Sequence, residues 1–321
     1  MLKYNGYHLI IPNSSQKTQI SQVIEKCNGS IFQDVTFNEI ISSHFETELF
    51  YLVDNPNNIS SFSPVHVEKI KYGMNIYHFC PEIDIPYAGF VGGNELIYND
   101  FSTGLFESII YKGFPYEKEI NIKSVNVKIG ETSMVDLSLN EDDIFDNVIQ
   151  SRRRNMIRKA IKHDINIKSF TDTQGLNEFW PILEQLHIKL GYSSLTYDYY
   201  NDIITEFGPK KEAFILIAYR DNKAISGVLI VGNQNYMHYY KGASLHDAGN
   251  CGHSELLHWE SIKLSKFLGC KYYDLCNLNK NELPEIYQFK TGISKDIYQY
   301  PYFYNSSFPL KIVNRIKKIF K

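Results

Sequence analysis

The sequence predicts an α/β (α+β) fold in which mixed sheets flanked by helices are built twice in tandem. Segments with helical periodicity alternate with segments of strand periodicity along the whole chain. The order of these elements occurs once in each half, although no residue-level repeat accompanies it. With 321 residues and a hydrophobic content of 43%, the chain is long enough for two domains that each have a core. We therefore predict an N-terminal domain over residues 1–138 and a C-terminal domain over residues 139–321.

In the first half, two amphipathic segments precede short runs of apolar β-branched and aromatic residues. The turn-forming segment 54–58, Asp-Asn-Pro-Asn-Asn, follows the first of these runs. The spacing predicts helices around Gln19–Glu25 and Val35–Ser42, strands at Leu49–Val53 and Tyr77–Phe79, a helix from about Ser102 to Tyr111, and strands near Val125–Val127 and Met134–Leu137.

In the second half, Gly191 and the Gly208-Pro209 pair are the expected ends of two amphipathic helices. The segment Asp221-Asn222-Lys223 is a turn between two apolar runs, which indicates a hairpin. The predicted order is a helix over Leu176–Leu190, a helix over Tyr197–Phe207, a hairpin of Phe214–Tyr219 with Ala224–Val231, a strand at Tyr236–Tyr240, a helix over Leu256–Leu268, a strand at Tyr272–Leu275, a helical turn at Glu285–Lys290 and strands through Ile297–Tyr304.

Residues 151–162, Ser-Arg-Arg-Arg-Asn-Met-Ile-Arg-Lys-Ala-Ile-Lys, concentrate cations in a chain whose formal net charge is only −3. Ile157, Ala160 and Ile161 follow helical spacing and predict the docked face of a helix. Upstream, Asn140 is a predicted N-cap ahead of three acidic residues. The cations do not share one face, so only some of them can converge on one ligand. A solvated basic face and a site for phosphate or carboxylate both fit this pattern.

The composition excludes several classes of protein. A pI near 6.4 excludes a protein that coats nucleic acid through its overall positive charge. A basic groove confined to one part of the surface is still compatible with this pI. The cysteines and histidines lack the spacing of a metal site or a catalytic triad, so we predict no metal and reduced thiols. No segment reads as a signal peptide or a membrane span, which predicts a soluble cytoplasmic protein. The cysteines and histidines without metal or triad spacing are Cys27, Cys80, Cys251, Cys270 and Cys276, with His163, His187, His253 and His258.

A set of short motifs occurs in the order found in a known family. The motifs are Met134–Ser138, Arg154–Lys162, Tyr239–Ser244, Leu256–Trp259 followed by Gly269 and Tyr273–Leu275, and the pair Phe289-Lys290. With the order helix pair, hairpin, strand, helix and short strand, they resemble the GNAT acetyltransferase fold. Two such units in tandem resemble the FemAB-like family of peptidoglycan aminoacyltransferases and its BioF2-like acetyltransferase relatives. The match is sharpest in the second half, and in the first half it rests on Phe32-Gln33 and Tyr87–Gly89.

The resemblance implies a set of site residues for acyl transfer to an amine. This chemistry needs aligned reactants, a proton acceptor and a donor to the oxyanion. Lys290 stands where the family carries a functional lysine and is expected to stabilise the oxyanion. Asp274 is expected to act as a base or to organise a neighbour, and Tyr240 to donate a hydrogen bond. A surface lysine, a structural aspartate and a core tyrosine are the alternatives.

The substrate-binding residues that we expect are Arg154, Arg158, Lys241 and Asp100. Arg154 and Arg158 lie one helical turn apart and are predicted to face a cleft, whereas Arg152 and Arg153 are predicted to be solvated. The loop over residues 246–254 stands where GNAT enzymes seat the pyrophosphate of coenzyme A on backbone amides. Gly252, His253 and Ser254 are therefore the predicted cofactor-binding residues. A plain loop with Ser254 as the helix cap is the alternative.

The resemblance implies an N-acyltransferase that moves an acyl or aminoacyl group onto an amine of a cell-envelope sugar or peptidoglycan precursor. It implies no permanently bound cofactor, and acyl-CoA or aminoacyl-tRNA as the co-substrate; the acidic pI favours acyl-CoA. The basic amphipathic tail over residues 308–321 either contacts the anionic inner face of the membrane or packs on the second domain. The alternative function is a non-catalytic binding module for a nucleotide- or lipid-linked envelope precursor.

Overall fold

The computed structural model describes residues 3–4, 6–70, 74–80, 85–92, 101–102, 107–116, 127–191 and 195–306. The chain divides into two units, Met1–Gly130 with Gln299–Lys321 and Glu131–Tyr298. The predicted boundary at 138/139 lies eight residues beyond the division at 130/131. Residues 134–136 fall in the second unit because they pair with strand residues 272–274 of that unit.

The first unit contains a helix pair followed by antiparallel strands. Its first helix begins at a capping box, in which the Asn13 side chain accepts from Gln16 N and the Gln16 side chain accepts from Asn13 N. The helices are α1 (Ser14–Lys26) and α2 (Val35–His44), and the strands are β1 (Lys3–Tyr4), β2 (His8–Ile10), β3 (Glu48–Val53), β4 (Phe62–Ile70), β5 (Met74–His78), β6 (Phe101–Ser102), β7 (Glu107–Lys112), β8 (Val127–Asp136) and β14 (Ile297–Ser306), of which β8 also enters the second unit and β14 begins there.

The sheet of this unit runs in the order β2-β3-β4-β5-β7-β14, and β1 pairs separately with β6. Its pairings are antiparallel except for β5 with β7, which is parallel. The helix predicted over Ser102–Tyr111 is wrong, because residues 107–112 form β7. Residues 107–111 are all buried, so this strand is covered on both faces. Its apolar residues at 109–111 are therefore consecutive, and the alternation of apolar and polar residues that identifies a half-buried strand is missing.

The second unit has the order strand, helix pair, three antiparallel strands, helix and parallel strand, and the described part of the first unit shares all of these except the last helix. The core of the second unit is built from the apolar faces of these elements, and Tyr273, Leu257 and Ile230 are among its fully buried residues. The elements are α3 (Glu141–Asp143), α4 (Ser151–Lys162), β9 (Asn166–Phe170), α5 (Thr173–Leu190), α6 (Tyr197–Phe207), β10 (Ala213–Arg220), β11 (Lys223–Gly232), β12 (Tyr236–Ser244), α7 (His253–Phe267), β13 (Tyr272–Asp274) and α8 (Pro284–Ile293).

The sheet order in the second unit is β8-β13-β12-β11-β10-β9. Strands β12 and β13 are parallel, and the other pairs are antiparallel. The predicted helix ends are confirmed: Gly191 adopts a left-handed C-cap after α5, and α6 ends at Phe207 before Gly208. The tandem fold with helices on mixed sheets, predicted from the order of elements, is therefore present.

The cation-rich segment folds as predicted only in part. The Asn140 side chain caps α3 by accepting from Asp143 N, and a π-helical turn over Ile144–Val148 precedes α4. Ile157 and Ala160 are buried as expected. Ile161, predicted to dock with them, is 57% exposed, because it lies about 100° around the helix from Ala160 and so falls at the edge of the docked face.

Three further observations concern the whole of the described chain. All five cysteines are free thiols. No helix among the described residues is both long and apolar enough to traverse a lipid bilayer. Asp100 and the basic tail over residues 308–321 lie outside the described residues.

Candidate active site

The two central parallel strands of the second unit separate at a defined point. Strands β12 and β13 pair only from Tyr236↔Tyr272 to His238↔Asp274. Directly beyond the last pair, the register between β11 and β12 shifts, because Leu229 pairs with Lys241 and Ile230 with Tyr239. Tyr240 is therefore the additional residue of a β-bulge, a feature that redirects side chains and is common beside active sites. We call this place the strand split, formed by Tyr239 and Tyr240 of β12, beyond its last pair with β13, and by Cys276 and Asn277 after β13.

Lys290 extends from α8 into the strand split. Its Nζ donates to Cys276 O at 2.6 Å and to Asn277 O at 3.1 Å, and it lies 5.5 Å from the centroid of the Tyr239 ring. The residue is 8% exposed, and burial lowers the pKa of its ammonium, although the charges of Cys276 and Asp274 oppose this shift. An ammonium has three N–H groups, so these two bonds leave one for a further acceptor.

The backbone that receives Lys290 is itself unusual. Cys276 and Asn277 have φ values of 56° and 26°, in the region that non-glycine residues rarely adopt. A left-handed conformation costs roughly 1–2 kcal/mol per residue. It turns both carbonyl oxygens toward the Lys290 ammonium, whose hydrogen bonds offset part of that cost.

Asp274 lies under this turn and is fully buried. Its Oδ1 accepts from Thr132 Oγ1 at 2.6 Å and from Cys276 N at 2.9 Å, and its Oδ2 shares a hydrogen with His238 Nδ1 at 2.7 Å. Burial raises the pKa of Asp274 to about 7, against the effects of the Cys276 hydrogen bond and the Lys290 charge. Burial also lowers the pKa of His238 to about 3, so this imidazole is neutral. Asp274 thus fixes the turn whose carbonyls hold Lys290.

The sequence spacing gave no indication that a cysteine and a histidine meet here. Atoms of metal-ligand type from His238, Asp274 and Cys276 lie within 4.8 Å of one another. The hydrogen bonds of Asp274 account for this arrangement, and burial raises the pKa of the Cys276 thiol well above its usual value. A protonated, fully enclosed thiol is a poor nucleophile and a poor metal ligand.

Tyr240 joins the helix pair to the strand split. Its hydroxyl lies 2.5 Å from the Tyr199 hydroxyl of α6, so one donates to the other. The Lys241 Nζ lies 5.2 Å from the centroid of the Tyr240 ring, which places a cation on its face. Tyr240 is 8% exposed, consistent with a hydroxyl held in place at the edge of the split.

The N-terminus of α7 is formed by a glycine in the left-handed conformation. Gly252 is the N-cap, with φ of 84°, and no side chain caps the helix, so the predicted alternative of a Ser254 cap is wrong. A Cβ at Gly252 would lie 2.1 Å from Met156 O of α4, so the site also requires glycine for close approach. The His253 ring points inward, with Nδ1 3.1 Å from Cys251 Sγ and Nε2 3.2 Å from Ser244 Oγ, and burial lowers its pKa. Among the residues that the structure describes, no side chain therefore caps the first backbone amides of α7.

A comparison with known protein families identifies part of this chain. Residues 150–290 match the family model described as an acetyltransferase (GNAT) domain, and the match spans α4, the strand split and Lys290. This part of the chain is therefore a GNAT-type acyltransferase domain. No curated protein matches the sequence.

Solved structures share the tandem fold of this chain. The crystal structure of FemX is similar with a TM-score of 0.66 at 11% identity, covering 95% of this chain and 99% of FemX. The L-PGS structure from Bacillus licheniformis is similar with a TM-score of 0.52 at 11% identity, covering 97% of each chain. A tandem GNAT protein from the clavulanic acid biosynthesis pathway has a TM-score of 0.50 at 10% identity, covering 94% of this chain and 98% of that one. At these identities the similarity shows the fold.

The arginine side chains of α4 differ from the predicted arrangement. Arg154 Nη1 donates to the carbonyls of Asp146 and Ile149, so it holds the π-helical turn to α4. Arg158 is exposed and lies over the Phe145 ring at 5.1 Å, with Nη1 3.4 Å from Asn155 Oδ1. The expectation that Arg153 is solvated is wrong: its side chain is 14% exposed and pairs with Glu255 at 2.8 Å.

The structure thus brings Lys290, Asp274 and Tyr240 to the strand split and leaves Gly252, His253 and Ser254 at the start of α7. Sequence patterns did not predict the partners of these residues, which are Thr132, Tyr199, His238, Tyr239, Cys276 and, around α8, Arg153 and Glu255. Most of these contacts join residues more than 30 positions apart. The register of β12 against β13 places His238 opposite Asp274, and no local pattern in the sequence reveals that pairing.

Proposed function

We propose that this chain transfers an acyl or aminoacyl group from a coenzyme A thioester, or from an aminoacyl-tRNA, to an amine of a cell-envelope precursor. The observation that carries the proposal is the Lys290 ammonium, held at the strand split by two backbone carbonyls with one N–H left over. The resemblance of the motifs to the FemAB-like family of peptidoglycan aminoacyltransferases supports an acceptor from the cell envelope, and FemX and L-PGS share the tandem fold. The thioester is the donor that we favour, because the chain carries a formal net charge of −3.

In the proposed reaction, the amine nitrogen attacks the acyl carbon and forms a tetrahedral oxyanion. The remaining N–H of Lys290 donates to this oxyanion, an interaction worth most in a site that excludes water. When the intermediate collapses, the bond from carbon to sulfur breaks and the amine gives up one proton. We propose that the Tyr240 and Tyr199 hydroxyls carry a proton to the leaving thiolate, so that the products are an amide and a free thiol.

Two further groups position the reactants in this proposal. Asp274 is enclosed under the turn, so its proposed role is to hold Cys276 and Asn277 in the conformation that aims Lys290. The uncapped amides of α7, at Gly252, His253 and Ser254, are the proposed seat for the pyrophosphate of coenzyme A. Arg158 and Lys241 remain proposed contacts to the acceptor or to the donor phosphates, because both carry a cation at or near the molecular surface.

The test compares Lys290→Ala with Lys295→Ala, a matched change of an exposed lysine five residues later. Acetyl-CoA binding is measured by calorimetry, and transfer by release of free thiol with amino sugars and peptidoglycan precursors as acceptors. Removing one oxyanion donor is expected to lower kcat by about 10²–10³-fold. Acetyl-CoA affinity is expected to stay within about threefold, and Lys295→Ala is expected to act as the wild type does. A Lys290→Ala enzyme with unchanged kcat contradicts the role, and wild-type binding of a nucleotide-linked precursor without transfer supports the binding-module alternative.

A further inference from the structure

Arg153 is the cation of α4 that turns inward, and it connects three helices. Its Nη1 donates to Glu255 Oε1 of α7 at 2.8 Å, and its Nη2 donates to Gln288 O of α8 at 3.2 Å. The guanidinium also lies over the Phe289 ring at 4.7 Å from its centroid. Both partners of the ion pair are largely buried, with side-chain exposures of 14% for Arg153 and 8% for Glu255. A buried pair of this kind is sensitive to the loss of either member.

The surface of α8 is shaped to receive this side chain. A Cβ at Gly292 would lie 2.7 Å from Arg153 Nε and 3.0 Å from its Cγ, so the absence of a side chain there lets the arginine lie flat on the helix. Gln150, three residues before Arg153, adds two bonds to the same helix: its N donates to Gly292 O at 2.9 Å and its Nε2 to Thr291 O at 3.1 Å. The first turn of α4 thus holds residues 288–292 of α8.

Lys290 lies inside the stretch of α8 that Arg153 and Gln150 hold. Its neighbour Phe289 packs between Arg153 and the His258 ring, which is 5.3 Å away. The two bonds from Lys290 Nζ, at 2.6 and 3.1 Å, tolerate little displacement of the helix. A shift of about 1 Å in a reacting group is enough to lower a rate about 100-fold.

We propose that Arg153 is a positioning residue that sets Lys290 in the strand split by fixing α8, with Glu255 as its charge partner. The planar guanidinium is needed, because a lysine cannot make the contacts to the carboxylate, the carbonyl and the aromatic face together. The consequence for catalysis rests on the role proposed for Lys290, whereas the placement of Lys290 is measured without any substrate.

The first experiment measures how fast Lys290 reacts with acetic anhydride in the free protein, by mass spectrometry of its peptides. Exposed Lys295 is the internal control in every sample. The variants are Arg153→Met, Arg153→Lys, and the double variant Arg153→Met with Glu255→Gln. In the single variant Arg153→Met the buried Glu255 carboxylate has lost its partner, and the second substitution removes that charge and is expected to restore global stability. We expect acetylation of Lys290 at least tenfold faster in all three, with Lys295 unchanged. If the double variant regains wild-type stability and the wild-type rate at Lys290, Arg153 serves stability alone and the proposal is overturned.

The second experiment measures transfer kinetics of the same variants with an acceptor found for the wild type. We expect kcat to fall at least tenfold in the double variant while KM for the acyl donor changes less than threefold, with a smaller loss in Arg153→Lys. A double variant with both wild-type kcat and a wild-type rate of Lys290 acetylation overturns the proposal. Faster acetylation of Lys290 with normal kcat would instead contradict the role of Lys290 itself, so the two failures are distinguishable.

Discussion

Replacing Asp274 by Asn should change how the stability of the second unit depends on pH. The carboxyl is fully buried, and its pKa is about 7 in the folded protein against 3.8 for the free side chain. The folded state therefore binds this proton more tightly than the unfolded state does. The stabilisation is complete below pH 3.8 and is lost as the pH rises to about 7. Asn keeps the shape of the side chain and removes the titration.

The magnitude follows from the difference between the two pKa values. Raising the pKa of an acid from 3.8 to about 7 corresponds to about 4 kcal/mol over the full range of pH. About 3 kcal/mol of this change falls between pH 5 and pH 8. Because the variant lacks the titration, its free energy of unfolding relative to the wild type is expected to rise by about 3 kcal/mol from pH 5 to pH 8.

Urea unfolding at pH 5 and pH 8 measures this difference. Both tryptophans of the chain, Trp180 and Trp259, belong to the unit Glu131–Tyr298, so tryptophan fluorescence reports the unfolding of that unit. Asp142→Asn, which removes an exposed carboxyl from α3, is the control for loss of a negative charge. If Asp274→Asn differs from the wild type by the same amount at both values of pH, the buried carboxyl titrates normally and the reasoning is refuted.

Two other substitutions test the backbone and the tyrosine pair. Gly252→Ala is expected to lower the free energy of unfolding by more than about 2 kcal/mol, because the added Cβ would lie 2.1 Å from Met156 O at a φ of 84°. Gly191→Ala, at a left-handed position with open space around it, should cost only about 1 kcal/mol in the same urea titrations, and equal costs would contradict the steric argument. Tyr199→Phe and Tyr240→Phe should show a coupling energy of about 1 kcal/mol in a double-mutant cycle, since their hydroxyls share one hydrogen bond, and additive effects would argue against that bond.

Local sequence patterns predicted the helices and strands of the second unit because the ends and turns of these elements depend on the conformational preferences of neighbouring residues. Gly191 ended α5, and the turn at 221–223 joined β10 to β11, since both depend on backbone preferences over a few residues. The same reasoning failed at 107–112, where a strand buried on both faces has no alternating pattern to recognise. It also failed at Arg153, whose inward position depends on Glu255, about 100 residues later in the chain.

The sequence by itself determined the tandem α/β plan, the GNAT motifs and the candidacy of Lys290, Asp274 and Tyr240, because each is encoded by periodicity, turn residues or a short ordered motif. The tertiary structure alone decided what these residues contact. Strand register placed His238 opposite Asp274, a β-bulge positioned Tyr240 beside Tyr199, and helix packing selected Arg153 from a run of six similar cations to face α8. Strand register, the β-bulge and helix packing all depend on contacts between residues that are distant in sequence. Their free energies arise only when the core is assembled, so no local stretch of sequence reveals them.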